Sequence, residues 1–211
     1  MAYDLEEQEQ MATIKAWWAE YGRLLIVTVV AGLLMVGGIR GWYYYHANQS
    51  ASAAVLFGQL QSAERASDHK KVRDIATQIV DKYSVTPYAA IAALAAAKSD
   101  FDTGELAGAK TRLQWVIDNA KEEEARDVAR LRLARVLFDE KNASAALQLL
   151  ETKSVDSFVG LYAGLKGDVL ASQGKRPEAR AAYQLALDKS DAASSMRQII
   201  QLKIDALGES K

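Results

Sequence analysis

A long apolar run near the start of the chain differs from everything that follows it. Residues 24–39 contain no charged side chain and have arginine on either side. On a helix, Tyr21 and Trp42 would lie about 31 Å apart, close to the roughly 30 Å apolar core of a bilayer. Aromatic side chains, which favour the headgroup level, flank the run on both sides: Trp17, Trp18, Tyr21, Trp42, Tyr43, Tyr44 and Tyr45. The pattern predicts a transmembrane helix over residues 23–45.

Transfer energies favour insertion of this helix into a bilayer. The run holds ten leucine, isoleucine and valine residues. At about −0.3 to −0.6 kcal/mol each, they outweigh at most about 3 kcal/mol for Arg40, whose long side chain can reach the interface. Two alternatives stay open, a buried core helix and a signal peptide cleaved near Ala51-Ser52-Ala53. Signal peptides begin with positive charge, whereas five acidic and only two basic residues precede this run. The sequence favours a retained anchor.

Basic residues near the ends of the predicted span indicate its orientation. Lys15 and Arg23 precede the span, and only Arg40 follows it closely. Cytoplasmic flanks carry an excess of lysine and arginine. We therefore expect a cytoplasmic tail, residues 1–22, and a domain outside the cytoplasmic membrane, residues 46–211.

The remainder of the chain has the pattern of an all-α protein. Val55, Leu56 and Leu60 follow the span at helical spacing, so the membrane helix continues or re-forms at once. The two prolines, Pro87 and Pro177, stand at predicted helix boundaries, where proline is tolerated. No run alternates apolar and polar residues for long enough to predict a strand.

Internal repeats define the architecture of this helical part. In three segments a small residue is followed twelve positions later by a second small residue and, four positions further, by a larger one: Ala97, Ala109 and Leu113; Ala134, Ala146 and Leu150; Gly167, Ala179 and Tyr183. The segments begin 37 and then 33 residues apart, which brackets the 34-residue period of tetratricopeptide repeats. Turn-forming residues fall between the paired helices: Asp102-Thr103-Gly104, Lys141-Asn142 and Gly174-Lys175. We predict a tetratricopeptide-like solenoid of helical hairpins.

Both ends of the solenoid depart from the repeat pattern. Residues 52–86 form a weaker first unit, with Ala76 and Val80 in register but Glu64 at the first small position. We interpret this unit as degenerate or as a cap. Residues 192–207 have apolar side chains at helical spacing and predict a C-terminal capping helix over the last repeat.

Composition and charge exclude several functional classes. Outside the N-terminal tail and Arg40, the chain has 23 basic and 22 acidic residues, so it lacks the basic surface that nucleic acid requires. The absence of cysteine excludes disulfides and thiolate chemistry. His46 and His69 are the two histidines, and neither belongs to a metal or catalytic motif. The charged run at residues 122–127 is interpreted as a solvated helix start. We expect no enzyme, metal or cofactor.

A peptide-binding surface is the remaining candidate site. Helical-hairpin solenoids bind peptides along the concave face formed by the first helix of each pair. Counting one residue after and three before the small residues of these helices gives Leu94, Lys98, Leu131, Arg135, Gly164 and Asp168 as groove residues. We expect Phe101, Phe138 and Leu161 beside them. The leucines and phenylalanines have an alternative role in packing between helices. Lys98, Arg135 and Asp168 are the stronger candidates for exposed contacts.

The order of these features resembles the YfgM family, single-span inner-membrane proteins described as ancillary subunits of the SecYEG translocon. The similar stretches are KAWWAEYG at 15–22, LRLARV at 131–136, GDVLASQG at 167–174 with Ala179 and Arg180, and LKI at 202–204 with Leu207. The resemblance implies a cytoplasmic N-terminus and a periplasmic repeat domain. It also implies association with SecYEG and with the membrane-anchored periplasmic chaperone PpiD.

Repeats, anchor and resemblance together predict a non-enzymatic adaptor at the inner membrane. We expect its groove to bind partner chaperones or emerging, unfolded polypeptides and to pass them to periplasmic chaperones. The alternative is a regulator of a stress-response signalling protein, which would act through the acidic cytoplasmic tail.

Overall fold

The computed structural model describes residues 2–191 and 195–208, with side chains from residue 10 to 191 and from 196 to 208. Over these residues the chain forms nine α-helices and no strand, which confirms the predicted all-α class: α1 (Ala2–Arg65), α2 (His69–Tyr83), α3 (Pro87–Asp102), α4 (Leu106–Asn119), α5 (Glu123–Asp139), α6 (Ala143–Leu150), α7 (Val159–Ser172), α8 (Arg176–Asp188) and α9 (Ser195–Ala206). A 3-10 turn, Asp156–Phe158, precedes α7.

The chain divides into two units, Met1–Gln49 and Ser50–Lys211. Helix α1 is continuous and contributes residues to both. The predicted continuation of the membrane helix past the span is therefore confirmed. The predicted boundaries of tail, span and outer domain at residues 22 and 45 stay predictions.

The first unit carries the apolar run on its surface. Among the described residues, one helix is long and apolar enough to cross a membrane, over Gln10–Arg65. Leu24 and Leu34 are 70% and 72% exposed, and the Thr28 hydroxyl donates a hydrogen bond to the Leu24 carbonyl at 2.9 Å. Exposed apolar side chains and internally satisfied polar groups suit lipid. They argue against the buried core helix.

Four turns of one kind join the helices of the second unit into hairpins. Each turn contains one residue with a left-handed backbone: Ser67, Gly104, Lys141 and Gly174, with φ from 53° to 80°. In every case the next amide donates to the carbonyl five positions earlier, at 2.7 to 3.1 Å, which closes a Schellman motif. The predicted turns at Gly104, Lys141 and Gly174 are confirmed. The turn at Ser67 shows that the first repeat unit, residues 52–86, is a complete hairpin, although we expected it to be degenerate or a cap.

Small residues at the predicted positions let the paired helices pack closely. Ala97, Ala109, Ala134, Ala146 and Ala179 are all at least 98% buried. Their burial joins the hairpins through a series of adjoining core clusters. The solenoid of helical hairpins is confirmed.

Helix α9 packs on the last hairpin. Its Ile200 and Ile204 are buried in a cluster with Ala179 and Tyr183. The predicted capping helix is therefore present from residue 195, whereas residues 192–194 lie outside the described residues.

Helix α6 is the shortest of the paired helices. It has 8 residues, against 14 in α4 and 13 in α8. The segment after it is held by Asp127, whose carboxylate accepts bonds from the Val155 amide at 2.9 Å and the Tyr162 hydroxyl at 3.0 Å. Arg130 pairs with the same carboxylate at 2.8 Å. The expected solvated helix start is therefore wrong at Asp127, which is fully buried.

Candidate peptide-binding groove

An open groove crosses α5 and α7, the first helices of the last two hairpins, and the capping helix α9. Its volume is about 560 Å³, and its walls come from α5, α7, α9 and the segment after α8. We call it the α5–α7–α9 groove and define it by its lining residues: Leu131, Arg132, Arg135, Ser157, Gly160, Leu161, Gly164, Leu165, Asp168, Lys189, Ser190, Asp191, Met196, Ile200 and Lys203.

Helical spacing on α7 gives the groove its apolar floor. Leu161, Gly164, Leu165 and Asp168 recur at intervals of three or four residues and therefore lie on one face of the helix. Gly164 has no side chain to fill the groove, and Leu161 is 40% exposed. An exposed leucine beside a glycine provides a shallow site for an apolar side chain of a ligand.

Hydrogen bonds and ion pairs connect α5, α7, α8 and α9 beside the groove. The Asp168 carboxylate accepts from the Tyr183 hydroxyl at 2.8 Å and from the Lys203 ammonium at 2.6 Å, and Arg135 lies 3.6 Å away. Lys203 also lies 5.8 Å from the centre of the Tyr183 ring. Burial, with the hydrogen bond to Asp168, raises the pKa of Tyr183 above its ordinary value. Tyr183 therefore remains a neutral donor.

Four of the eight predicted groove side chains meet in this groove. Leu131 and Arg135 come from α5, and Leu161 and Asp168 come from α7. Arg135 is exposed, as predicted for a contact residue. Asp168 is largely buried and ion-paired, so it holds neighbouring cations in place and is not itself an exposed contact residue.

The other four predicted residues lie elsewhere. Leu94 and Phe138 are half-buried against core clusters, in the packing role that was their alternative. Lys98 pairs with Asp102 at 2.5 Å and lines a separate cavity beside α1 and α2. Phe101 is 42% exposed outside the groove lining.

Sequence reasoning missed the contribution of α9 to the groove. Met196, Ile200 and Lys203 line it from that helix, and Arg132 and Lys189 add further charge. The first three recur at four- and three-residue intervals, the same signal that identified α9 as a cap. Applying the rule for first helices to α9 as well would have found its contribution.

A second open cavity lies on the other side of α7. It has a volume of about 910 Å³ and is lined by Tyr162 and Lys166 of α7, by Leu185 of α8 and by the segment that follows α6. The early end of α6 leaves this space open. Leu185 is 44% exposed there, which nearly equals the exposure of Leu161 in the α5–α7–α9 groove.

Neither histidine contributes to a catalytic or metal arrangement. His69 Nδ1 lies 3.0 Å from the Ser99 hydroxyl, and the His46 ring lies 4.3 Å from the Trp42 ring. Within the described residues, no three His, Cys, Asp or Glu side chains are grouped as metal ligands. These contacts are structural.

Stacked hairpins with a groove across their first helices define a tetratricopeptide repeat-like protein. The family described as "Tetratricopeptide repeat-like domain" matches residues 15–209. The "Ancillary SecYEG translocon subunit" of Neisseria gonorrhoeae is 32% identical over 98% of this chain and 100% of its own length. The protein of that name from Escherichia coli K12 is 33% identical over 95% of this chain and 96% of its own. That from Haemophilus influenzae is 28% identical over 98% of this chain and 100% of its own. This chain belongs to the family of ancillary SecYEG translocon subunits. No solved structure matches it significantly.

Proposed function

We propose that this chain is a non-enzymatic adaptor of the SecYEG translocon, anchored in the inner membrane by α1. The α5–α7–α9 groove binds segments of unfolded or emerging polypeptides, or of partner chaperones. The observation that carries the proposal is the groove itself, because its apolar floor is open between α5, α7 and the capping helix α9. The names of relatives that match nearly the whole chain support the translocon as the site of action.

The proposed topology has the tail in the cytoplasm and the repeat domain in the periplasm. Lys15 and Arg23 before the span, against Arg40 after it, support this orientation. The apolar side chains exposed on α1 support its place in lipid. A domain held there faces polypeptides as they leave the translocon.

Because the domain is anchored, the groove can act on emerging chains with only a low affinity for peptides. A site held close to emerging chains acts at high effective concentration, in the millimolar range for short flexible linkages. Binding can therefore be weak enough for rapid release. Release to a membrane-anchored periplasmic chaperone, of the PpiD kind, completes the proposed function by passing the client to the periplasmic chaperone network.

Two leucines of nearly equal exposure test the groove. A photoreactive residue replaces either Leu161, in the α5–α7–α9 groove, or Leu185, in the cavity behind α7. Cells then carry a secretory polypeptide arrested during translocation. We expect cross-links from position 161 to segments of that polypeptide that have already crossed the membrane, with few from position 185.

Other cross-linking patterns would contradict separate parts of the proposal. Equal yields from both positions would mean that the groove is not the binding site. Cross-links confined to segments that have not crossed would place the domain in the cytoplasm.

Leu161→Ser gives the matching affinity measurement. Burying a whole leucine side chain is worth about 1.5 to 3 kcal/mol. The 40% of Leu161 that is exposed therefore corresponds to a loss of roughly three- to eightfold in peptide affinity. Leu185→Ser should leave the affinity unchanged.

A further inference from the structure

The rim of the α5–α7–α9 groove has an excess of positive charge. Four basic side chains and two carboxylates line it: Arg132, Arg135, Lys189, Lys203, Asp168 and Asp191. Outside the tail and Arg40, the chain has 23 basic and 22 acidic residues. The excess is therefore a local property of the groove.

One of the two carboxylates is already neutralised. Asp168 is bound by Lys203 at 2.6 Å and by the Tyr183 hydroxyl at 2.8 Å, and its side chain is only 18% exposed. Lys203 is committed to this short ion pair. Neither group is free to set the charge that an incoming ligand meets.

The remaining basic side chains are accessible to a ligand. Arg135 is 53% exposed and its ion pair with Asp168 is long, at 3.6 Å. Arg132 is exposed and donates to a backbone carbonyl, that of Leu94, at 3.3 Å. Lys189 is exposed and forms no ion pair within the described part of the chain. Asp191 is the one remaining carboxylate in the groove lining to offset these three cations.

We propose that the α5–α7–α9 groove selects apolar polypeptide segments that carry aspartate or glutamate beside their apolar side chains. The apolar residues occupy the floor at Leu161 and Leu165, while the carboxylates face Arg132 and Arg135 on α5 and Lys189 after α8. Segments flanked by lysine or arginine meet like charges and bind weakly. This inference rests on the proposed function, because it names the class of ligand for the same groove.

Two peptides of equal apolar content test the selection on the full chain in nonionic detergent. Each has a core of leucine and alanine and about fifteen residues, with glutamates on one peptide and lysines on the other at the flanks. Fluorescence anisotropy gives the two affinities. Because exposed ion pairs are individually weak, we expect the acidic peptide to bind about tenfold more tightly at 0.1 M salt.

Salt and charge reversal provide two further readings. The Debye length falls from about 10 Å at 0.1 M to about 3 Å at 1 M salt, so the preference should nearly disappear at 1 M. The double variant Arg135→Glu with Lys189→Glu should prefer the basic peptide. A control with the same change of charge, Lys70→Glu with Lys121→Glu on exposed positions outside the groove, should keep the preference for the acidic peptide.

The possible results separate the inference from the function on which it rests. Equal binding of both peptides, reduced by Leu161→Ser, would overturn the selection and leave the groove as a general apolar site. A preference for acidic peptides that survives the groove reversal would assign the selection to another surface. Binding of neither peptide, with self-association that Leu161→Ser abolishes, would assign the groove to a second copy and overturn both proposals.

Discussion

Among the small residues of the repeats, Gly167 is the position where a side chain has the least room. A Cβ atom placed there would overlap the Tyr183 ring, with the ring Cζ at 2.9 Å and two other ring atoms closer still. Optimal carbon contacts lie at about 3.5 to 4.0 Å. The ring is 3% exposed and tied to Asp168 through its hydroxyl. Gly167→Ala must therefore displace a ring that is both buried and held by a hydrogen bond.

A matched glycine on the same helix isolates the cost of this overlap. A Cβ at Gly164 would lie 3.9 Å from the Ala186 Cβ, which is an ordinary contact. Replacing glycine by alanine within a helix contributes about 0.8 to 1 kcal/mol of stability, and this gain is common to both variants. Overpacking costs about 1 to 3 kcal/mol. The overlap at Gly167 is deep, so we expect Gly167→Ala to be about 3 kcal/mol less stable than Gly164→Ala.

Thermal unfolding followed by circular dichroism measures the difference. A change of 1 kcal/mol shifts the Tm of a domain of this size by about 2 to 4 °C, so the two variants should differ by about 6 to 12 °C. Gly164→Ala should equal or exceed the parent chain. Equal Tm values for the two variants would refute the close packing of α7 on α8 at this point.

Two further changes test the buried charge and the hairpin turns. Asp127→Ala leaves the largely buried Arg130 with Glu123 alone and removes the acceptor of the Val155 amide, so it should cost about 3 kcal/mol in urea unfolding. Asp102→Ala, at an exposed ion pair, should cost less than about 1 kcal/mol. Similar losses for both would contradict the burial of Asp127. Lys141→Gly should stabilise the chain by about 1 kcal/mol in the same assay, because Lys141 has a φ of 66° where glycine is unstrained. The reverse change, Gly104→Lys, should destabilise it. Destabilisation by Lys141→Gly, or no destabilisation by Gly104→Lys, would show that the turns are not of one kind.

The repeat architecture could be predicted because close helix packing restricts certain sequence positions to small residues. Where two helices approach each other closely, only a small residue fits, so both helices of three pairs carry small residues at fixed distances. Ala97 and Ala134 fulfil this requirement in the first helices, and Gly167 meets its extreme form. The turn glycines record a second constraint, the left-handed backbone at the end of the first helix.

Ser67 and Asp127 show where such records fail. Ser67 has a left-handed φ of 53° although it is not glycine, so its residue type does not reveal the turn in the sequence. The burial of Asp127 depends on the Val155 amide, which lies 28 positions away on a segment with no regular structure. No local pattern of charges carries that information. A charged run at a helix start therefore looks solvated until the segment covering it is known.

The groove was only half predictable because α9 has two roles. Its buried residues, Ile200 and Ile204, follow the pattern of a cap, but the same helix also forms a wall of the groove. Lys203 and Asp168 then serve stability and the groove together, since their ion pair joins α9 to α7. A substitution at either would change folding and binding at once. Arg135 and Lys189 are exposed on the rim and lie outside the buried core, so they are the positions at which the ligand preference can be reversed while the cap stays in place.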